Sequence, residues 1–171
     1  MIVIPNKEKD VFICTYDIND QTSEYKTKAI NSKNEEIFSQ YEQIEAIQNK
    51  DENNNLWYEN ALKVKQGEKY GLINFEGKTL LACEYEEITA LEGIKNTIKI
   101  KKDGKYGIID NEGKEILPVQ YAQITNLGKD SKEGFIIQNE EGKYGIVGYS
   151  NSTILEAKYD GIEKISGNDL Y

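Results

Sequence analysis

The chain has 171 residues, 38% apolar and 30% charged, which suits one domain or one repeat array burying about 70% of its unfolded surface. Its 30 acidic residues outnumber 21 lysines for a net charge of −9, with no Arg and no His. That balance excludes a counterion-displacing grip on nucleic acid, disfavours an anionic membrane surface, and removes the commonest general base and metal ligand.

In chain order, residues 1–10 read as a lead-in strand or a loose terminus, and Met1 to Pro5 is too short for a secretory leader. Residues 11–47 read as a degenerate first repeat, with strands at Val11–Tyr16 and near Lys28–Asn31. Residues 48–56 are polar and read as an inserted surface loop, flanked by Trp57 and Tyr58. Three further repeats follow at about 62–91, 97–127 and 135–165, and residues 169–171 stand where another would start. Lys63-Val64-Lys65 and Ile98-Lys99-Ile100-Lys101 alternate apolar with Lys, the period of a strand with one wet face. Asp103-Gly104, Glu141-Gly142 and Gly67-Glu68 read as the tight turns that follow. Third strands are expected around Leu80-Leu81, Ile116-Leu117 and Ile154-Leu155, with Pro118 stopping the second of these. No stretch reads as a long helix.

The repeat rests on columns of equivalent residues. Tyr70-Gly71, Tyr106-Gly107 and Tyr144-Gly145 recur 36 and 38 residues apart. Gly77 and Gly113 close the second turn of their copies, where the last repeat has Asn151. Fourteen residues after each Tyr-Gly glycine comes Tyr85, Tyr121 or Tyr159, each followed by an Ile three residues on; Tyr41 and Ile44 are a fourth copy. A glycine inside a strand weakens it, so its recurrence points to close backbone approach or a bulge. The expected fold is therefore all-β: tandem short antiparallel hairpins stacked as an open, solenoid-like array, with a small β-propeller as the alternative.

The phrase Gly-Lys-Tyr-Gly-Ile-Ile-Asp-Asn-Glu-Gly-Lys at 104–114, and its counterparts from Glu68 and Gly142, resemble the WG-containing repeat of bacterial proteins. Tyr70, Tyr106 and Tyr144 stand where that family usually has Trp. The resemblance covers about 62–165 well and 11–47 faintly. It implies an all-β repeat array, often linked to the cell envelope, and no catalytic residues.

Little in the chain points to chemistry. Ser and Cys have no imidazole partner, Cys14 and Cys83 fall in different repeat slots, and two thiols without His cannot complete a zinc site. The acidic pairs Glu86-Glu87 and Glu140-Glu141 read as solvated turn charges. Gly104 and Gly107 open a strand, so they make no phosphate cradle. The expectation is a non-enzyme without cofactor or metal. It would be a binding module contacting protein or cell-surface glycan, or else a purely structural spacer; a carboxylate-based enzyme ranks behind both. Trp57 and Tyr58 are the contact candidates, and a tyrosine column exposed along one face would favour binding. No run is long enough for a membrane-spanning helix. The compartment is cytoplasmic by default, or the envelope if the natural chain carries a signal or anchor.

Overall fold

The computed structural model describes residues 1–128 and 133–163. Those residues form sixteen strands in four antiparallel sheets, each a four-strand meander in which neighbours in sequence are neighbours in space. The first sheet holds β1 (Ile2–Val3), β2 (Phe12–Asn19), β3 (Glu24–Ile30) and β4 (Glu36–Ile37). The second holds β5 (Gln43–Lys50), β6 (Leu56–Gln66), β7 (Lys69–Ile73) and β8 (Thr79–Tyr85). The third holds β9 (Glu87–Ala90), β10 (Ile98–Lys102), β11 (Lys105–Ile109) and β12 (Glu115–Tyr121). The fourth holds β13 (Gln123–Asn126), β14 (Phe135–Gln138), β15 (Tyr144–Val147) and β16 (Thr153–Tyr159).

Three cores join the four sheets in succession. Val11, Ile13 and Ala29 of the first pack on Ile44, Leu62 and Ile73 of the second. Ile47, Ala61 and Leu72 of the second pack on Ile88, Ile98 and Ile109 of the third. Ile108, Leu117 and Tyr121 of the third pack on Ile124, Phe135 and Ile137 of the fourth. Consecutive strand residues point to opposite faces, so Leu72 and Ile73 serve cores on opposite sides of one sheet, as do Ile108 and Ile109. Burial on both faces explains why the repeat phrase carries adjacent apolar residues where a one-faced strand would alternate. Among the described residues no core joins the fourth sheet to the first, so over those residues the array is open.

The recurring glycines sit at bulges. Tyr70 pairs with Tyr85 and Leu72 with Leu81, so two steps on β7 span four on β8. The same irregularity separates Tyr106–Tyr121 from Ile108–Leu117, and Tyr144–Tyr159 from Ile146–Leu155. The bulged strand folds over the glycine. A Cβ on Gly107 would stand 2.8 Å from a methyl of Val119 and 2.9 Å from the Leu117 carbonyl oxygen; one on Gly145 would stand 2.6 Å from that of Leu155. The two tyrosine columns are thus cross-strand partners of each other, a relationship that only strand pairing reveals.

Several local expectations meet a different structure. Residues 48–50 and 56 are strand: the insertion lengthens the β5–β6 hairpin, and only 51–55 turn. Pro118 lies inside β12 and does not stop it; β12 is an edge strand and Pro118 falls in its bulge, where no ladder N–H is required. The Tyr-x-x-Ile phrase does not close a sheet. The chain leaves one sheet at Tyr85 or Tyr121, and Ile88 or Ile124 already lies in the edge strand of the next. Asp103-Gly104 and Gly67-Glu68 do make two-residue turns, with Asp103 and Gly104 both at positive φ. Glu141-Gly142 instead belongs to a longer loop, in which Asn139 N–H donates to the Lys143 carbonyl at 2.9 Å. Residues 169–171, and Ile165 at the end of the last repeat, lie outside the described residues.

Candidate functional site

Two polar features interrupt the apolar stacking. One is a sealed hub between the second and third sheets. Glu59 of β6 is 2% exposed, on the strand face it shares with Trp57 and Ala61. One carboxylate oxygen accepts from Asn49 Nδ2 (2.9 Å) and Trp57 Nε1 (3.1 Å); the other accepts from the Asn96 N–H and Asn111 Nδ2, both at 3.0 Å. Asn49, equally buried, also donates to the Leu91 and Ile94 carbonyls at 3.1 and 3.0 Å and accepts from the Gly93 N–H at 3.2 Å. The hub fixes the 91–97 loop of the third sheet to the long β5–β6 hairpin of the second. With four donors on two oxygens, the carboxylate is occupied and serves structure.

The other feature is a line of lysines over tyrosine rings. Lys63 and Lys65 lie over Tyr70, at 5.2 and 5.8 Å from its centroid. Lys99 and Lys101 lie over Tyr106 at 4.9 and 5.2 Å. The two middle sheets differ in what stands across from the first lysine of each pair. In the second sheet Glu45 is the cross-strand partner of Lys63, with its carboxylate 2.8 Å from Nζ. Tyr25, reaching over from β3, donates its hydroxyl to the same carboxylate. Burial pushes the Glu45 carboxyl up, but the hydrogen bonds from Lys63 and Tyr25 outweigh it and hold the group below its ordinary range. The hydrogen bond to Glu45 pushes the Tyr25 phenol up to about 12.

In the third sheet the cross-strand partner of Lys99 is Thr89. Among the described residues no carboxylate lies within ion-pair distance of Lys99. Its Nζ donates to Gln123 Oε1 of the fourth sheet at 3.3 Å. Burial pulls the Lys99 ammonium down, offset in part by the field of Glu87. In the fourth sheet the equivalent pair is Thr125 and Ile136, and the charge is gone.

Lys99 opens into a groove of about 950 Å³. Its walls include Ala90 and Leu91 at the end of β9, and Ile124 and Asn126 of β13. Asp51 and Glu52 of the β5–β6 turn, Glu92 and Glu133 add acidic groups to its lining. Glu92 makes an exposed 3.7 Å ion pair with Lys50, and its carbonyl accepts a hydrogen bond from the Asn126 amide. A smaller cavity of about 320 Å³, lined by Gln48, Lys50, Leu56 and Thr89, adjoins through Ala90 and Glu92.

The residues singled out in sequence fall around these features without converging on one point. Tyr70, Tyr85, Tyr106 and Tyr144 are half-buried, Tyr121 is buried, and Tyr159 is exposed at the last edge. Tyr121 donates its hydroxyl to Asn151 Oδ1 at 3.2 Å. Gly71, Gly107 and Gly145 lie under the bulges; Gly77 and Gly113 sit in turns at positive φ. Trp57 and Tyr58 are half-buried, and Trp57 is tied to the hub with Lys95 over its ring at 5.5 Å. Cys14 and Cys83 are free and half-buried. Sequence reasoning missed Asn49 and Glu59 because they lie in and beside a stretch read as polar insertion. The available signal was the period-2 placement of Glu59 between Trp57 and Ala61.

Four meander sheets stacked through successive cores define an all-β tandem-repeat protein. Within it, residues 70–106 and again 106–144 match the WG containing repeat, and the boundaries of both matches fall on Tyr70, Tyr106 and Tyr144. The matched stretch runs from β7 to the start of β15 and is similar to that family. No curated protein and no solved structure gave a match.

Proposed function

We propose that the chain is a non-catalytic binding module of a bacterial WG-repeat protein, and that it engages a protein or glycan ligand in the groove between its third and fourth sheets. The observation that carries this reading is Lys99: a half-buried cation facing a roughly 950 Å³ groove where the neighbouring sheet has a neutralised ion pair. A non-catalytic role is supported by Glu59, the single buried carboxylate among the described residues, whose oxygens are taken up by four donors. The half-buried tyrosine columns favour a second reading, a spacer that displays another domain, because they offer no continuous exposed aromatic face.

Peptide and glycan arrays probed with the labelled full chain separate the two. The binding module gives saturable signal on one array, abolished by Ala90→Trp, which fills the groove wall. Absence of signal on both arrays, or signal that Ala90→Trp leaves intact, overturns the groove reading in favour of the spacer or of another face.

A further inference from the structure

The second and third sheets present the same slot in two states. In the second, three groups complete it: the Lys63 ammonium, the Glu45 carboxylate across the strand pair, and the Tyr25 hydroxyl on that carboxylate. In the third, the lysine and the ring beneath it are kept, as Lys99 over Tyr106, while Thr89 replaces the glutamate. An ammonium has three donors, and Lys99 places one on the Gln123 amide oxygen. A half-buried cation with donors to spare is an unfavourable arrangement for the empty protein and a favourable one for an incoming anion. Since Thr89 is exposed and shorter than glutamate, the space held by the Glu45 carboxylate in the second sheet is left unfilled in the third, beside the smaller cavity that adjoins the groove.

The rest of the groove sets a second condition. Asp51, Glu52, Glu92 and Glu133 also line it, and the whole chain carries a charge of −9, so a purely anionic ligand is repelled on approach. Glu92 lies in the turn that follows β9, three residues beyond Thr89. Lys99 is therefore the one cation beside four carboxylates among the described lining residues. Resting on the binding-module reading, we propose that the groove takes a peptide segment carrying both a carboxylate and a cationic group. The carboxylate sits on Lys99, in place of the missing glutamate, and the cation lies toward Glu92. The Tyr106 face and Gln123 hold the Lys99 ammonium in position.

The test is an NMR titration of the full chain with a terminally blocked tetrapeptide bearing lysine at one end and glutamate at the other. Saturable shifts are expected at the amides of Thr89, Ala90, Ile124 and Thr125. Exchanging the peptide's glutamate for glutamine, or Lys99 for Met, should weaken binding about tenfold or more, the scale of a lost charged hydrogen bond. Lys63→Met, which alters the filled slot, should leave the affinity unchanged, and circular dichroism confirms that both variants fold. Equal affinity of the Lys99→Met chain, or of the glutamine peptide, overturns the proposal. So does absence of shifts at the groove; array binding that Ala90→Trp abolishes would then still support the binding module with a ligand of other chemistry, whereas silent arrays would sink both.

Discussion

Asn111 and Glu59 lie 52 residues apart in sequence and are joined by a 3.0 Å hydrogen bond from the Asn111 amide to the Glu59 carboxylate. Asn111 belongs to the turn after β11 in the third sheet, Glu59 to β6 in the second, so the bond locks one repeat to the next. Its other side-chain atom, Asn111 Oδ1, is buried without a partner. Removing the two ends should have unequal effects. Glu59→Ala orphans four donors and should destabilise by about 3 kcal/mol or more. Asn111→Ala removes one bond and also an unsatisfied oxygen, and should cost about 1 kcal/mol. Urea denaturation of the two variants measures the difference; equal losses would mean that the hub does not act as a unit.

Gly107→Val should destabilise by roughly 2 kcal/mol or more. The cause is contact, not dihedral strain, because Gly107 is not at positive φ while its Cβ would meet backbone at 2.9 Å. Gly104 has the opposite character: its φ is +77° and nothing lies within 4 Å of its Cβ. Gly104→Asn should therefore be tolerated within about 1 kcal/mol, since Asn adopts that conformation. Thermal melts of both variants check the distinction.

Much of this was legible in sequence, and for a physical reason. Each strand's residues serve cores on both sides of a sheet, so the repeat phrase recurs with its glycines and tyrosines in register, and the all-β open array follows from it. The phase was harder. Ile88 and Ile124 read as closing a unit because they follow Tyr85 and Tyr121 closely, yet a single bend carries the chain to the next sheet. Lys99 read as a wet-face residue because alternation gives a face without saying what stacks upon it. The contact with Gln123 of the fourth sheet is one that alternation does not reveal. Asn49 and Glu59 were illegible as partners, since their bonds depend on the loop at 91–97 of another sheet.

The two lysines should respond oppositely to loss of charge. Lys63→Met leaves Glu45, with a side chain only 19% exposed, without its ion-pair partner, and should destabilise by about 1–2 kcal/mol. Lys99→Met removes a desolvated cation that has no carboxylate within ion-pair distance among the described residues, and should be neutral or stabilising by up to about 1 kcal/mol. A gain in stability with a loss of ligand is the mark of a site held ready for binding. Chemical denaturation of both variants against the parent chain decides it.

The Tyr25–Glu45 bond sets an alkaline limit. Tyr25 is pushed up to about 12 from an ordinary value near 10, so its protonated form is favoured in the fold. The stabilisation is fully present below pH 10 and is lost as pH rises through about 12. In Glu45→Gln the main cause of the shift is gone, and Tyr25 should ionise closer to pH 10. A phenolate titration followed by NMR of the ring signals reads this directly; an unchanged Tyr25 would mean that the hydroxyl is not bonded to Glu45.

The central claim is that ligand enters between the third and fourth sheets. Hydrogen exchange of the full chain, with and without the tightest-binding peptide from the array, tests it most directly. Slowed exchange confined to 89–93 and 123–127 is the expected result. Protection centred on the first sheet, across β2 and β3, with the groove unchanged, would contradict it.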